Sequence, residues 1–494
     1  VNDFYITSRT DWTPELIEQA YRECEKIARE ELELEVYPNQ IEIIGAEQML
    51  DAYASIGLPV HYNHWSFGKE FLRNHKAYES GRQGLAYEIV INSDPCISYL
   101  MEENDMVMQT MVIAHAAFGH NTVFKNNICF KQWTNAGSII DYMVFARDYI
   151  RQCEDRYGTE EVEMVLDAAH ALASHGVDKF KRKHRPKMSE EARLKKLIAE
   201  EDQKQREMDI ILKKTSKQAD EVKIDHEDHD DMEEEENLLY FIMKKSPNLE
   251  RWKREILRIV YKVNQYFYPQ GQTKNLNEGM ASFVHYYIMT RLEEKGMLSP
   301  DAYLNFLDHH SGVIFQPTYQ KRYYSGFNPY ALGFAILRDV KRICTEPTEE
   351  DKEWFPQLIG KRWQDAVKEA VFEHRDDSFV AQYLSPKVIR DLHLFTVSLD
   401  YSTDEQAASV SAIVSEIHDD IGYKNIRSAL AQSMERINFV PQIQVVGADL
   451  DGDRTLKLKY VPYKGRQLAL EDAETVTNYI DYLWGYAVQL EDGT

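Results

Sequence analysis

Met106-Val-Met-Gln-Thr-Met-Val-Ile-Ala-His115-Ala-Ala-Phe-Gly119-His120-Asn121 is the stretch on which the fold turns. From Met106 to Phe118 it is apolar almost all round, and Asn104-Asp105 stands before it as an N-cap, so it predicts a helix buried on every side. Such a helix needs a body of other helices to cover it. Two imidazoles close it, and a buried imidazole without a partner costs free energy, so His115 and His120 call for hydrogen-bond partners or a metal ion. On a regular helix residues five apart lie about 140° apart around the axis. A helix that ends at Gly119 is expected to swing His120 back toward His115.

Working outward, Thr13 before Pro14-Glu15-Leu16 reads as an N-cap with proline in the first turn. Leu16, Ala20, Cys24, Ile27 and Ala28 then recur at helical spacing, predicting a helix to about Glu33. Residues 57–84, rich in His, Tyr, Trp and Gly, suit an ordered loop with a short helix over about 69–73. The β-branched run Leu85 to Asn92 reads as a strand ended by Ser93-Asp94-Pro95. Further helices are expected over about 137–157, 159–174, 249–267, 276–292, 300–306, 329–343 and 363–372, with Pro269-Gln-Gly-Gln as a break. Near Ser385 the pattern changes to strands at 392–399, 439–446 and 455–460, a helical stretch up to Arg436, and a last helix over 471–484.

The expected architecture is α+β: a predominantly α-helical body with few strands, plus a small C-terminal α+β module over 386–494. The body divides into residues 1–180, with the His115/His120 helix, and 237–385. Between them, 181–236 is charged and poor in large apolar groups. Nine of the twelve residues 225–236 are acidic, which predicts a flexible insertion that could hold a metal only loosely through His226 and His229.

A second polar cluster is Gln270-Gly-Gln272-Thr-Lys-Asn-Leu-Asn277-Glu278-Gly279-Met-Ala281-Ser-Phe-Val-His285. Glu278 and His285, seven apart, project from one helix face. His115, His120 and Glu278 form a two-His, one-carboxylate set suited to Zn²⁺ or another divalent ion, with His285 as fourth ligand or as the group that orients a ligand. The order of strand, His-bearing helix and later Asn-Glu-Gly helix is similar to the zincin-like core of gluzincin metallopeptidases. Ala116 stands where those enzymes carry a general-base Glu, and the His spacing is one residue longer. A hydrolase built here needs another carboxylate to activate water, for which Glu88 and Glu102 are the candidates.

Composition narrows the rest. With 494 residues, the chain is long enough for two to four domains at roughly 150 residues each. Its 58 basic against 82 acidic residues, a net charge of −24, oppose general nucleic-acid binding. No apolar run approaches the ~18 residues that cross a bilayer, and Val1 to Tyr5 has no signal-peptide character. Five scattered cysteines without a CxxC pair predict a reducing cytoplasm. Asp449, Asp451 and Asp453 imitate a calcium loop, but Tyr460 holds the twelfth position, so a hairpin turn is expected. His61, His64 and Trp65 read as groove lining or filling, and Asp308-His309-His310 as a packed helix end. No GxxxxGK[ST], GxGxxG or GxSxG is present, which leaves nucleotide-driven and serine-hydrolase chemistry without support.

His115-Ala-Ala-Phe-Gly-His120-Asn with Phe124-Lys-Asn-Asn, Tyr268-Pro-Gln-Gly-Gln-Thr-Lys with Asn277-Glu-Gly-Met-Ala-Ser-Phe, and Gly326-Phe-Asn-Pro-Tyr-Ala-Leu-Gly-Phe together resemble the SpoVR (stage V sporulation protein R) family, from Trp12 to the C-terminal module. Met280 stands where the family usually has Trp, and Ser282 where Thr is common. The resemblance implies a cytoplasmic bacterial protein linked to spore cortex formation, or to stationary-phase stress response in bacteria that form no spores. It also implies partnership with a PrkA-like serine kinase and a von Willebrand A-like protein. It carries no defined reaction. Two roles follow: a sporulation or stress regulator or scaffold acting through protein contacts around a buried His/Glu centre, or a divalent-metal hydrolase of a peptide or peptidoglycan-related substrate.

Overall fold

A computed structural model describes residues 4–54, 58, 60–79, 88–179, 237–317, 326–401, 410–416, 419–435, 442–448, 450, 452–462 and 469–492. The charged insertion expected over 181–236 lies outside the described residues. The remainder is a helical body with three small sheets, α+β as the sequence pattern implies.

The first helix, α1 (Pro14–Glu30), follows its sequence signals: the Thr13 side chain accepts from Leu16 N, and Ile17, Ala20, Cys24, Ile27 and Ala28 are buried. Each large aliphatic side chain so buried contributes roughly 1.5–3 kcal/mol. β1 (Asn39–Ile44) leads to α2 (Ala46–Ala54) and α3 (Trp65–Glu79), the latter much longer than the short helix expected over about 69–73. β2 (Glu88–Ile91) and β3 (Cys96–Met101) complete a sheet of order β1-β3-β2, with β1 parallel and β2 antiparallel to β3. β3 escapes the sequence reading because it is buried on both faces and shows no alternation.

Asp105 accepts from Met108 N at 2.7 Å and starts α4 (Met106–Ile113), every residue of which is buried. The chain then enters a π-helical turn, Ala114–His120, and resumes as α5 (Asn121–Asn126) and α6 (Ile128–Trp133). α7 (Ile139–Tyr157) and α8 (Thr159–Ala171) follow, then α9 (Leu238–Lys245) and α10 (Arg251–Gln272). Pro269 does not break α10. Val263, Tyr266 and Pro269 itself are buried, and that packing outweighs the roughly 3 kcal/mol that an interior proline costs.

α11 (Lys274–Glu294), α12 (Pro300–Val313) and α13 (Pro329–Thr345) form the centre of the body. Around them lie α14 (Glu349–Trp354), α15 (Trp363–Phe372), α16 (Asp376–Tyr383) and α17 (Pro386–Asp391). β4 (Phe395–Tyr401) pairs antiparallel with β5 (Val410–Glu416), a strand inside the stretch expected to be helical up to Arg436. α18 (Asp420–Met434) follows. β6 (Gln442–Ala448), β7 (Leu456–Val461), α19 (Leu470–Trp484) and β8 (Val488–Asp492) end the chain, in a sheet of order β6-β7-β8.

Two apolar clusters hold this together. One joins α1, α4, the π-turn and α11 to α13, and it takes in Tyr423, Ile426 and Leu430 of α18. The other joins α7 to α10 with β6, β7 and α19. The segment after Ser385 is thus shared between the clusters, α18 on the first and the last sheet on the second. No described helix is long and apolar enough to cross a membrane.

Candidate metal centre

The π-turn builds the site. Asn121 N–H bonds back to Ala116 O, five residues earlier, so one turn closes over five residues and side chains five apart fall on the same face. His115 and His120 therefore point together, their ring centres 4.7 Å apart. The expectation that a helix end at Gly119 brings the rings together is corrected: the helix does not end there but widens by one residue. Gly119 serves close approach instead, since a Cβ on it would lie 2.5 Å from Ala281 Cα. On the far side of α11, a Cβ on Gly279 would lie 2.4 Å from Gly333 Cα of α13. α11 is thus pressed between two helical backbones, and the Glu278 carboxylate is carried into the space beside the imidazoles.

Four groups meet there. His115 Nε2 lies 3.2 Å from Glu88 Oε1 and 3.8 Å from Glu278 Oε2. His120 Nε2 lies 4.0 Å from Glu88 Oε1 and 3.6 Å from Glu278 Oε2. One ligand atom from each of Glu88, His115 and His120 falls within 4.8 Å of the others, so this buried Glu/His/His group could hold a metal ion. Glu88 Oε2 and Glu278 Oε2 are buried with no hydrogen-bond partner among the described residues, as carboxylate oxygens left for a cation would be.

The outward nitrogens are spoken for. His120 Nδ1 donates to Asn277 Oδ1 at 2.8 Å, and His115 Nδ1 meets His285 Nδ1 at 2.8 Å. His285 Nε2 in turn meets His310 Nδ1 at 2.7 Å. If His115 donates, His285 accepts at Nδ1 and donates from Nε2 to His310, and both site imidazoles present an Nε2 lone pair to the carboxylates. Burial holds His115 and His310 down at about 4 and pushes His285 well below the usual range, so the three rings are neutral at pH 7. With both nitrogens engaged, His285 orients His115.

The carboxyls are split. Burial and the charge of Glu278 push Glu88 well above the ordinary value. Burial works the same way on Glu278, but the neighbouring His115 and His120 and the Tyr330 hydroxyl outweigh it and hold Glu278 below. The centre lies in a cavity of about 630 Å³ lined by apolar Ile89, Val90, Met111 and Phe124 and by polar Gln270 and Lys274. Glu102, the other carboxylate named from sequence, is exposed beyond the end of β3 and does not line this cavity.

Much of the remaining motif is scaffold. Asn121 ties the turn to Tyr37 N and O and to Asn39. Asn126 bonds Glu35 O, while Asn127 bonds Val371 O and His374 O. Asn328 caps α13 and places Tyr330. Asp376 accepts from Asn275 N and Leu276 N, both at 2.9 Å, and so fixes the start of α11.

A sequence model of the family described as SpoVR like protein matches residues 11–439. The chain belongs to the SpoVR family. The model of the SpoVR-like C-terminal domain matches residues 441–493, the β6-β7-β8 sheet with α19. A protein of Escherichia coli (strain K12), described as uncharacterized protein YcgB, is 47% identical over 486 residues, covering 98% of this chain and 93% of the relative. No solved structure matches the chain. Within the SpoVR-like motif, Met280 lies in the core, and the Ser282 hydroxyl is buried with no hydrogen-bond partner among the described residues. The sequence reading takes His310 for helix-end packing and does not single out Tyr330 or the Asn277 contact. Tyr330 and Asn277 sit inside the SpoVR-like motifs, but His310 had no signal beyond its place near the end of an apolar helix.

Proposed function

We propose that this SpoVR protein binds one divalent first-row ion, Zn²⁺ by the chemistry of the donors, and hydrolyses a peptide or peptidoglycan-related substrate in the cavity beside it. The observation that carries the reading is the pair of Nε2 lone pairs, each fixed by a hydrogen bond on Nδ1 and both facing Glu278 Oε2, a buried carboxylate oxygen with no hydrogen-bond partner among the described residues. A spacing of five read through a π-turn does what a spacing of four does on an α-helix, so the departure from HExxH is no bar to shared ligation. A bound ion would act as a Lewis acid and make water a better nucleophile.

His115, His120 and the anionic Glu278 would hold the ion. Glu88, whose carboxyl is pushed up, would take a proton from water and return it to the leaving group, replacing the base that Ala116 cannot supply. Tyr330 would steady Glu278, and Lys274 and Gln270 would meet polar groups of the substrate at the cavity wall. Elemental analysis tests the reading. Stoichiometric metal, lost in His115→Ala and Glu278→Gln but kept in Glu88→Gln, is the expected result. Metal-free, folded protein that takes up no added Zn²⁺ overturns it.

The second reading, a regulator or scaffold, is favoured by Ala116 and would stand if the protein is metal-free. In either case the cellular setting suggested by the family resemblance is the bacterial cytoplasm, in cortex formation or stationary-phase stress response, with a PrkA-like serine kinase and a von Willebrand A-like protein as partners.

A further inference from the structure

A second cavity, of about 600 Å³, lies between the loop 60–64, the start of α3, the end of α7 and α8. Its aromatic wall is Tyr62, Trp65 and Phe67, and Glu154 and Glu163 stand opposite. The wall is fixed in place: the Asp167 carboxylate accepts from Trp65 Nε1 at 2.6 Å and contacts His64 Nε2 at 3.0 Å, while Tyr62 and His170 share a 2.8 Å hydrogen bond. Neither Glu154 nor Glu163 has a cationic partner within ion-pair distance among the described residues. Burial first, then the neighbouring charges of Asp155 and Glu163, raise Glu154 against the smaller opposing charge of Arg151. Two carboxylates that repel each other across a hollow are relieved by a cation placed between them.

His61 narrows the chemistry. Its Nδ1 lies 3.2 Å from Tyr62 O, which can only accept, so Nδ1 carries the proton and Nε2 carries a lone pair. That Nε2 is buried with no hydrogen-bond partner among the described residues, and a turn of the His61 ring, which lines the cavity, would offer it to an N–H donor. Burial holds His61 at about 4, and the ring stays neutral beside a cation. The Trp65 ring takes part in one cation–π contact, with Lys69 Nζ 5.7 Å from its centre.

From the aromatic wall, the Glu154 and Glu163 carboxylates, which make no ion pair among the described residues, and the His61 acceptor, we infer that this cavity binds an organic cation bearing N–H donors. The ligand is a primary or secondary ammonium or a guanidinium, rather than a quaternary amine, which has no N–H for His61. The group comes either from a free polyamine or from a lysine or arginine side chain of a peptide.

Titration calorimetry on the full chain tests this with three probes: spermidine, a lysine- and arginine-containing peptide, and choline. Saturable one-site binding of spermidine or of the peptide is expected, and which of them binds names the source. Trp65→Leu and Glu163→Gln, both at partly exposed positions that leave the fold intact, should each weaken it by about tenfold. Choline should bind at least tenfold more weakly than the better amine. Absence of binding by both amine probes overturns the inference, as does choline binding equal to theirs. So does binding unchanged in both variants, which would mark diffuse attraction to an acidic protein.

Discussion

Gly119 and Ala281 bring the helices that carry His120 and Glu278 together backbone against backbone: a Cβ on Gly119 would lie 2.5 Å from Ala281 Cα and 2.9 Å from Ala281 Cβ. Since the nearer atom is main chain, Gly119→Ala cannot be absorbed by a side-chain rotation. The variant should lose about 1–3 kcal/mol or more of stability, read as a lower Tm, and should part His120 from Glu278. Gly119→Ala combined with Ala281→Gly should recover little, because the new methyl still collides with the main chain at 281. Full recovery in the double variant would mean that the helices do not touch as described.

Arg342 anchors α13 from outside the site. It donates to Asp339 Oδ1 at 2.6 Å and to both oxygens of Asp351 at 2.6 and 2.8 Å, and Asp339 also accepts from Ser385 at 2.6 Å. Both carboxylates are buried, and Arg342 holds Asp351 down at about 2 against the opposing effect of burial. Arg342→Met leaves two buried charges uncompensated and should cost about 3–5 kcal/mol. A loss below about 1 kcal/mol in denaturant titration would show the pair to be solvated.

Stability should fall on acidification at a higher pH than carboxylate pairing alone would give. Burial lowers His61, His115, His170, His175 and His310 to about 4, against 6.5 in the unfolded chain. Below 6.5 the unfolded chain takes up protons that the folded chain refuses, so the stabilisation is complete above 6.5 and is lost as the pH falls toward 4. Asp376, raised to about 6 by burial, and Glu88 and Glu154, also raised, work in the opposite sense, but three carboxyls do not offset five imidazoles. Tm of metal-free protein followed from pH 7.5 to 4 should decline steadily across that window. A flat profile down to pH 4 would contradict the burial of these rings.

The sequence shows its local rules well and its long-range ones poorly. α1 is legible because Thr13, Pro14 and a 3.6-residue apolar period agree with one another. The burial of α4 is legible because no face of it is polar. Widening of the helix at 114–120 is not, since Ala-His-Ala-Ala-Phe-Gly-His fits a regular helix equally well and only packing against Ala281 selects the π form. Pro269 misleads for the same reason: a local penalty is overridden by burial that only the folded chain supplies. Glu88 is singled out in advance as a base by need, not by pattern, and its place beside both histidines comes from β2 pairing with β3.

The line of imidazoles from His115 through His285 to His310 gives the most direct handle on the proposed metal centre. Each link needs a neutral ring with its proton on the correct nitrogen, and the sequence of hydrogen bonds leaves His115 Nε2 as a lone pair only if His285 Nδ1 accepts. His285→Phe fills the same apolar space beside Phe306 but strands the His115 Nδ1 proton. The ring can then flip or change tautomer, and Zn²⁺ affinity should fall by about 10–100-fold, measured by competition with a chromophoric chelator, while far-UV circular dichroism stays unchanged. His310→Phe, which keeps the hydrogen bond between His115 and His285, should cost less. Equal Zn²⁺ affinity in His285→Phe and the parent protein would mean that His115 is oriented by its carboxylate neighbours alone.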